Sequence, residues 1–235
     1  MQIQHDKDSN FSVMTFKPLL SSITKKLIMA ITGACFVLFL AFHGTMNFVS
    51  ILSPDAYDGI CNFLGANWYA VIATLGLGGL AGLHILFGVI LSLENFIARG
   101  FVRYRKTERP KGVEWSSRNM LILGILILLG LALHLFDFWY KMQFAELVGR
   151  EPINGIEQIQ FLFSHNYFSI CYLAWFVVLW LHLSHGVWSM LQSVGWNSEH
   201  WKKVWQVIGY VVATLIVLLF VSVVIYYWLI NPFKC

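Results

Sequence analysis

Five of the eight histidines, His43, His84, His134, His182 and His185, stand inside long apolar runs. An imidazole taken out of water without a partner is costly. Ionisable side chains inside runs long enough to cross a membrane are therefore functional candidates by default. For one such histidine, a hydrogen bond between helices is a sufficient account. Five of them in four runs call for a common chemistry, and neutral imidazole is above all a metal ligand. His5, His165 and His200 lie in or near polar segments and need no special role.

The elements that carry these side chains follow from composition. Of 235 residues, 58% are hydrophobic and only 12% charged, with a mean hydropathy of +0.67. Soluble domains carry about 25% charged residues. The apolar residues fall into five blocks, roughly 27–48, 68–91, 120–139, 168–191 and 204–229, each close to or above the ~20 residues that cross a bilayer. None alternates in the short segments of a membrane barrel. The expected fold is all-α, an integral membrane five-helix transmembrane bundle forming one domain over 1–235. The polar leader before the first block lacks a small-residue cleavage site, so no cleaved signal peptide is expected.

Charge placement sets the expected orientation. The leader holds Lys7, Lys17, Lys25 and Lys26, and the second connection holds Arg99, Arg103, Arg105, Lys106, Arg109, Lys111 and Arg118. The fourth connection adds Lys202 and Lys203, whereas the first carries Asp55 and Asp58 and no base. The third mixes Lys141 and Arg150 with Glu146, Glu151 and Glu157. Bases concentrate on the cytoplasmic side of membrane proteins, which places the N-terminus inside and the C-terminus outside. These bases flank spans and have no nucleic-acid-binding context, so no nucleic acid partner is expected. Cys35 and Cys171 lie within spans, Cys61 near the first outer loop and Cys235 at the end. Without a C-x-x-C pattern, covalent haem attachment and iron–sulfur ligation within this chain are not expected.

The connections carry expectations of their own. Residues 11–20 are expected to lie along the inner surface. The first outer connection, with Pro54 and Gly59, should fold back as a small cap. The basic connection after Glu94 is a candidate docking surface for a soluble partner, and the histidine-free last span a packing helix.

Depth then sorts the histidines. A helix rises 1.5 Å per residue, so His43 lies about 25 Å, and His134 about 24 Å, from the inner ends of spans one and three. Spans two and four run inward, and His84 and His182 lie about 15 Å and 16 Å from their inner ends. His43 and His134 thus share an outer layer, His84 and His182 a deeper one. Two imidazoles facing each other at one depth clamp the iron of a b-type haem and leave no open position, so the group shuttles single electrons. Two layers about 10 Å apart cannot make one tetrahedral zinc site. A proton-coupled transporter would more often carry further acids inside its spans and broken helices. Here Asp137 is the only acid well inside a span, near its outer edge, and Glu94 sits at an inner boundary. His185 lies about 4.5 Å nearer the inner face than His182 and points about 60° away from it around the helix. His182 is the expected ligand, and His185 a hydrogen-bond donor to a propionate or a neighbouring carbonyl, or an alternative ligand. Room for a flat macrocycle is expected from Gly76, Gly78, Gly79, Ala81, Gly82 and Gly88 around His84, and from Gly44, Gly124, Gly130 and Gly186 near the other histidines. The alternative for each glycine is ordinary close helix packing.

The stretches FLAFHGTMNFVS, AGLHILFGVILSLEN, LALHLFDFW and LHLSHGVWSMLQSVGW together resemble the cytochrome b membrane anchor of succinate dehydrogenase and fumarate reductase, in its single-polypeptide, five-span, two-haem form. The resemblance covers all five spans. It implies His84 and His182 on a proximal haem near the cytoplasm and His43 and His134 on a distal one. It implies two haems b as cofactors and residence in the bacterial cytoplasmic membrane. It also implies partners on the cytoplasmic face: a flavoprotein with covalent FAD and an iron–sulfur subunit. The chain itself would hold no dicarboxylate site and would pass electrons between the iron–sulfur subunit and a membrane quinone, typically menaquinone. The quinone pocket is expected near the distal haem, where Asp55, Asp58, Asn62, Asn67 and Trp68 lie, with Asp58 the proton-handling candidate and a loop-capping role its alternative. Some fumarate-reducing members carry a glutamate two residues before the span-four ligand. Trp180 stands there in this chain, so the associated proton path is not implied. The rival readings are the cytochrome b anchor of a hydrogenase or formate dehydrogenase, and a haem-free membrane transporter.

Overall fold

The computed structural model describes residues 21–99, 115–196 and 198–230. Expectations for residues 11–20 and for most of the basic second connection fall outside the described residues. Every regular element among the described residues is helical. Five are long and apolar enough to cross a membrane: α1 (Ser22–Leu52), α3 (Trp68–Arg99), α5 (Met120–His134, continued by a π-helical turn over Leu135–Trp139), α8 (Asn166–Ser193) and α9 (Glu199–Ile230). These enclose the expected blocks and mostly overrun them. The 31 residues of α1 make a rod of about 46 Å, longer than the hydrocarbon core of about 30 Å. Short helices fill the connections: α2 (Pro54–Phe63), α4 (Trp115–Arg118), α6 (Gln143–Leu147) and α7 (Gly155–Ser164).

Helix starts follow local chemistry. Ser21 Oγ accepts the Thr24 amide, and Ser53 Oγ accepts the Ala56 amide with Pro54 at the first position of α2. Asn154 Oδ1 accepts the amides of Ile156 and Glu157 at the start of α7. Each side chain satisfies amide groups that a helix start leaves without partners.

The long helices alternate in direction, so the bundle has a leader end, with Ser22, Glu94 and Ser193, and a cap end, with Leu52, Trp68 and Ile230. Around its axis α1 packs on α3, α3 touches α5, α5 packs on α8 and α8 returns to α1. These four form a square, and α9 packs on the outside against α8 and α1. The last span is thus the expected packing helix. Gly209 of α9 makes its close approach possible, because a Cβ there would stand 3.1 Å from the Ser184 carbonyl. Trp180 also ties the two helices, its indole N–H donating to Thr214 Oγ1 at 3.0 Å. The core centres on α7, α8 and α9.

Outside this core, large apolar side chains such as Ile72, Leu75, Leu129 and Leu218 are exposed, as lipid-facing residues are. Exposed aromatics ring both ends: Trp115, Trp196 and Trp201 at the leader end, Trp68, Tyr140 and Tyr167 at the cap end. Such belts mark the two interfaces of a bilayer. At the leader end the buried Lys25 ammonium pairs with Glu94 of α3. At the cap end α2 folds back onto α1 and α7, as expected for that connection. Its Tyr57 is buried, and burial pushes both the Tyr57 phenol and the Cys61 thiol up, which keeps both neutral.

Candidate functional site

The square places its histidines on the two diagonals. His43 of α1 meets His134 of α5 with ring centroids 5.8 Å apart and planes at 80°. His84 of α3 meets His182 of α8 at 6.4 Å and 66°. Neither α1 with α5 nor α3 with α8 packs along its length. The imidazoles therefore face each other across the interior, between helices that their neighbours hold apart. His84 reaches Thr32, which lies 11 residues before His43 on α1, so the pairs occupy successive levels separated by up to about 16 Å.

Aromatic rings surround the cap-end pair. Phe39 stacks on His43 at 5.3 Å, and Phe138, Trp175 and Tyr172 stand 5.2, 6.0 and 6.3 Å from His134. Asn47, one turn after His43, donates to the His43 carbonyl at 2.8 Å. The leader-end pair is more polar. Thr32 Oγ1 donates to the Ile28 carbonyl at 2.8 Å and stands 3.0 Å from His84 Nδ1. With its own proton committed to Ile28, the hydroxyl accepts from His84 Nδ1–H, which leaves Nε2 as the ring's lone-pair nitrogen. On α8, His182 Nδ1 is buried with no hydrogen-bond partner. A buried polar atom left so costs about 1–3 kcal/mol.

These features fit a metal held between opposed imidazoles. Ring nitrogens coordinate first-row metals at about 2.0–2.1 Å, which puts the centroids of two rings on opposite sides of one ion roughly 6.3 Å apart by that geometry. The observed separations lie close to this on both diagonals. No group of three or more His, Cys, Asp or Glu able to hold a metal occurs among the described residues, and each diagonal offers two facing imidazoles. Gly76, Gly78, Gly79, Gly82, Gly124 and Gly186 have no atom within 4 Å of where a Cβ would stand, but the first four are exposed on the bundle surface, and a helical turn of about 100° per residue sets Gly79 and Gly82 on the side of α3 away from His84. Gly44 and Gly130 correct the expectation for those two positions. A Cβ on Gly44 would meet Leu219 and Phe220 at 3.2–3.3 Å, and one on Gly130 would overlap the Trp175 indole. Both are close-packing glycines.

The remaining candidates have distinct places. His185 is buried and lies edge-on to Trp188 at 5.0 Å, whereas His182 is the α8 imidazole opposite His84. Asp58 lies on α2, where Oδ2 accepts Asn154 Nδ2 at 2.9 Å and Oδ1 accepts the Ile156 amide at 3.2 Å. Its carboxylate thus caps α7, the loop-capping alternative. Asp137, which the sequence marked only as an acid near a span edge, is 3% exposed and receives a hydrogen bond from Tyr172 at 3.1 Å. Thr32 carried no sequence signal beyond being one hydroxyl in an apolar run; only the packing of α1 on α3 aims it at His84.

Fold and site together define a class: an all-helical bundle with five helices of membrane-crossing length and two opposed imidazole pairs stacked in its core. Comparison with models of known families, with curated proteins and with solved structures gives no match.

Proposed function

We propose that the chain is a diheme cytochrome b that carries electrons across a bilayer, as the membrane anchor of a succinate:quinone oxidoreductase. The observation that carries the reading is the pairing of four histidines on the two diagonals of one four-helix square, at two depths. Each haem would supply reversible one-electron exchange at its iron. The chain's own residues do the rest. His84 and His182 would hold one iron and His43 and His134 the other, and the residues of each pair would leave the group to single-electron exchange. Thr32 fixes the ring of His84 and the nitrogen it offers. Phe39, Phe138 and Trp175 keep water from the cap-end pair, and α9 closes the outside of the square.

The charge pattern of the sequence supports a cytoplasmic leader end and a C-terminus outside, and the family resemblance supports residence in a bacterial cytoplasmic membrane. The family resemblance then supplies the partners: a flavoprotein and an iron–sulfur subunit docked at the cytoplasmic face, where dicarboxylate chemistry takes place, and menaquinone or another quinone exchanging electrons at the cap end. A pyridine haemochrome assay on the purified chain is expected to give two haems per polypeptide. A ratio near zero refutes the reading and favours the haem-free transporter, and a ratio near one removes one of the pairs. Copurification separates the remaining rival, since a nickel or molybdenum subunit in place of a covalent flavoprotein identifies a hydrogenase or formate dehydrogenase anchor.

Thr32→Val tests the leader-end site. The substitution keeps the shape but removes the acceptor for His84 Nδ1–H. Loss of such a partner lowers metal affinity by about 10–100-fold and makes the imidazole a poorer electron donor. The expected result is weaker haem retention and a raised potential at the leader-end site alone. Unchanged potentials at both sites would show that Thr32 does not orient a ligand.

A further inference from the structure

We infer that Asp137 is the proton-exchanging group of the cap-end site, so that each electron received there is matched by one proton taken up on its carboxylate. The inference rests on the electron-transfer reading above and adds to it a residue, a proton and a side of the membrane.

Asp137 stands three residues beyond His134, inside the π-helical turn that ends α5. Such turns are rare and recur at functional sites. Here the Tyr140 amide donates back to the Leu135 carbonyl at 2.8 Å, and the Asp137 side chain is buried against α8. Three elements face it. From α8, Tyr172 donates to Oδ2 at 3.1 Å, and the same Tyr172 ring lies edge-on to His134 at 6.3 Å. One turn further along its own chain, Lys141, whose side chain is 27% exposed, places Nζ 3.9 Å from Oδ1. From α7 comes the neutral Gln158, whose amide donates to the Asp137 carbonyl at 2.7 Å. The titratable or charged groups the structure sets against Asp137 are thus Tyr172 and Lys141.

This is a row from the cap-end pair to the surface: His134, Tyr172, Asp137, Lys141. Among the described residues its buried carboxylate has one cation within reach, Lys141 at 3.9 Å, a distance longer than the 2.7–2.9 Å of a tight charge-assisted bond. A purely structural partner for the Tyr172 hydroxyl would need no charge, because a neutral acceptor satisfies an O–H. An electron arriving one helical turn away adds negative charge to the same apolar surroundings, and a like charge disfavours a carboxylate. The step balances simply. The electron comes from the leader-end site or from a membrane quinol, one proton enters from the cap-end solution past Lys141, and an O–H bond forms on Asp137. When the electron leaves, that bond breaks and the proton returns by the same route.

The test is a potentiometric titration of the haem-loaded full-length chain at a series of pH values, with the cap-end step identified as the one retained in His182→Ala. The cap-end potential is expected to fall with rising pH over part of the range, by about 59 mV per tenfold change in proton activity for one proton per electron. The leader-end potential stays level, and Asp137→Asn levels the cap-end step. A level cap-end potential in the unaltered chain, or a slope that persists in Asp137→Asn, overturns the inference. If Asp137→Asn fails to retain the cap-end haem, infrared difference spectra of the unaltered chain with carbon-13-labelled aspartate decide. Reduction must bring up a carboxyl band that shifts with the label, and its absence overturns the proposal. Level potentials on a haem-bound chain defeat this inference alone, whereas a chain that binds no haem defeats the electron-transfer reading as well.

Discussion

His182→Ala is expected to halve the haem content of the purified chain, from two per polypeptide to one, while His185→Ala leaves two. The two residues are one turn apart on α8 and share an apolar run, and His182 is the one whose ring faces His84, at 6.4 Å. Removing His182 takes away one of the two facing imidazoles that would hold the leader-end group. A single remaining imidazole cannot clamp an iron on both sides. His185 instead packs edge-on to Trp188, one turn nearer the leader end. Its loss changes the polarity around the leader-end site and shifts that site's potential without releasing the group. Haemochrome stoichiometry with one redox titration reads both effects. Loss of haem in His185→Ala with retention in His182→Ala would reverse the assignment.

Gly130→Ala is expected to be the most damaging single-methyl change in the bundle. A Cβ there overlaps the Trp175 indole, and that indole has little freedom to withdraw. Its N–H donates to the Ile127 carbonyl at 3.3 Å, and its ring lies between Tyr172 and Phe176 and beside His134. Overpacking of this kind costs about 1–3 kcal/mol, against roughly 0.8–1 kcal/mol gained when Ala replaces Gly within a helix. The displaced indole also presses on His134, so retention at the cap-end site falls along with thermal stability. Gly124→Ala is the control. It lies on the same helix with no atom within 4 Å of the added methyl and is expected to leave both properties unchanged or slightly improved. Equal behaviour of the two variants would show that α5 does not bear on α8 through Trp175.

Much of this architecture was legible in the chain because a bilayer imposes simple rules. Length and hydropathy marked five helices, since every backbone polar group in hydrocarbon must be satisfied within its own element. The alternating direction of the spans and a fixed rise per residue sorted the histidines by depth, and the structure brings together the same pairs, His43 with His134 and His84 with His182. Depth counting could do this because it needs only one coordinate, the position along the helix axis.

The direction around the axis is not in the count. Glycines near the histidines looked alike in sequence, yet Gly79 and Gly82 face open space while Gly44 and Gly130 meet side chains of neighbouring helices. Asp58 and Asp137 each looked like an acid near the outer boundary. The first caps α7, and the second is buried against Tyr172. Thr32 became a partner of His84 only through the packing of α1 on α3. The sequence by itself determined the number of spans, the apolar stretch at the centre of each and the level of each imidazole, because these depend on hydropathy and on helical rise. Only the tertiary structure decided that the pairs lie on the diagonals of a square and which small or polar side chains surround them. Those outcomes depend on how each helix is rotated, and that rotation is set by close packing between helices, which an apolar run leaves open.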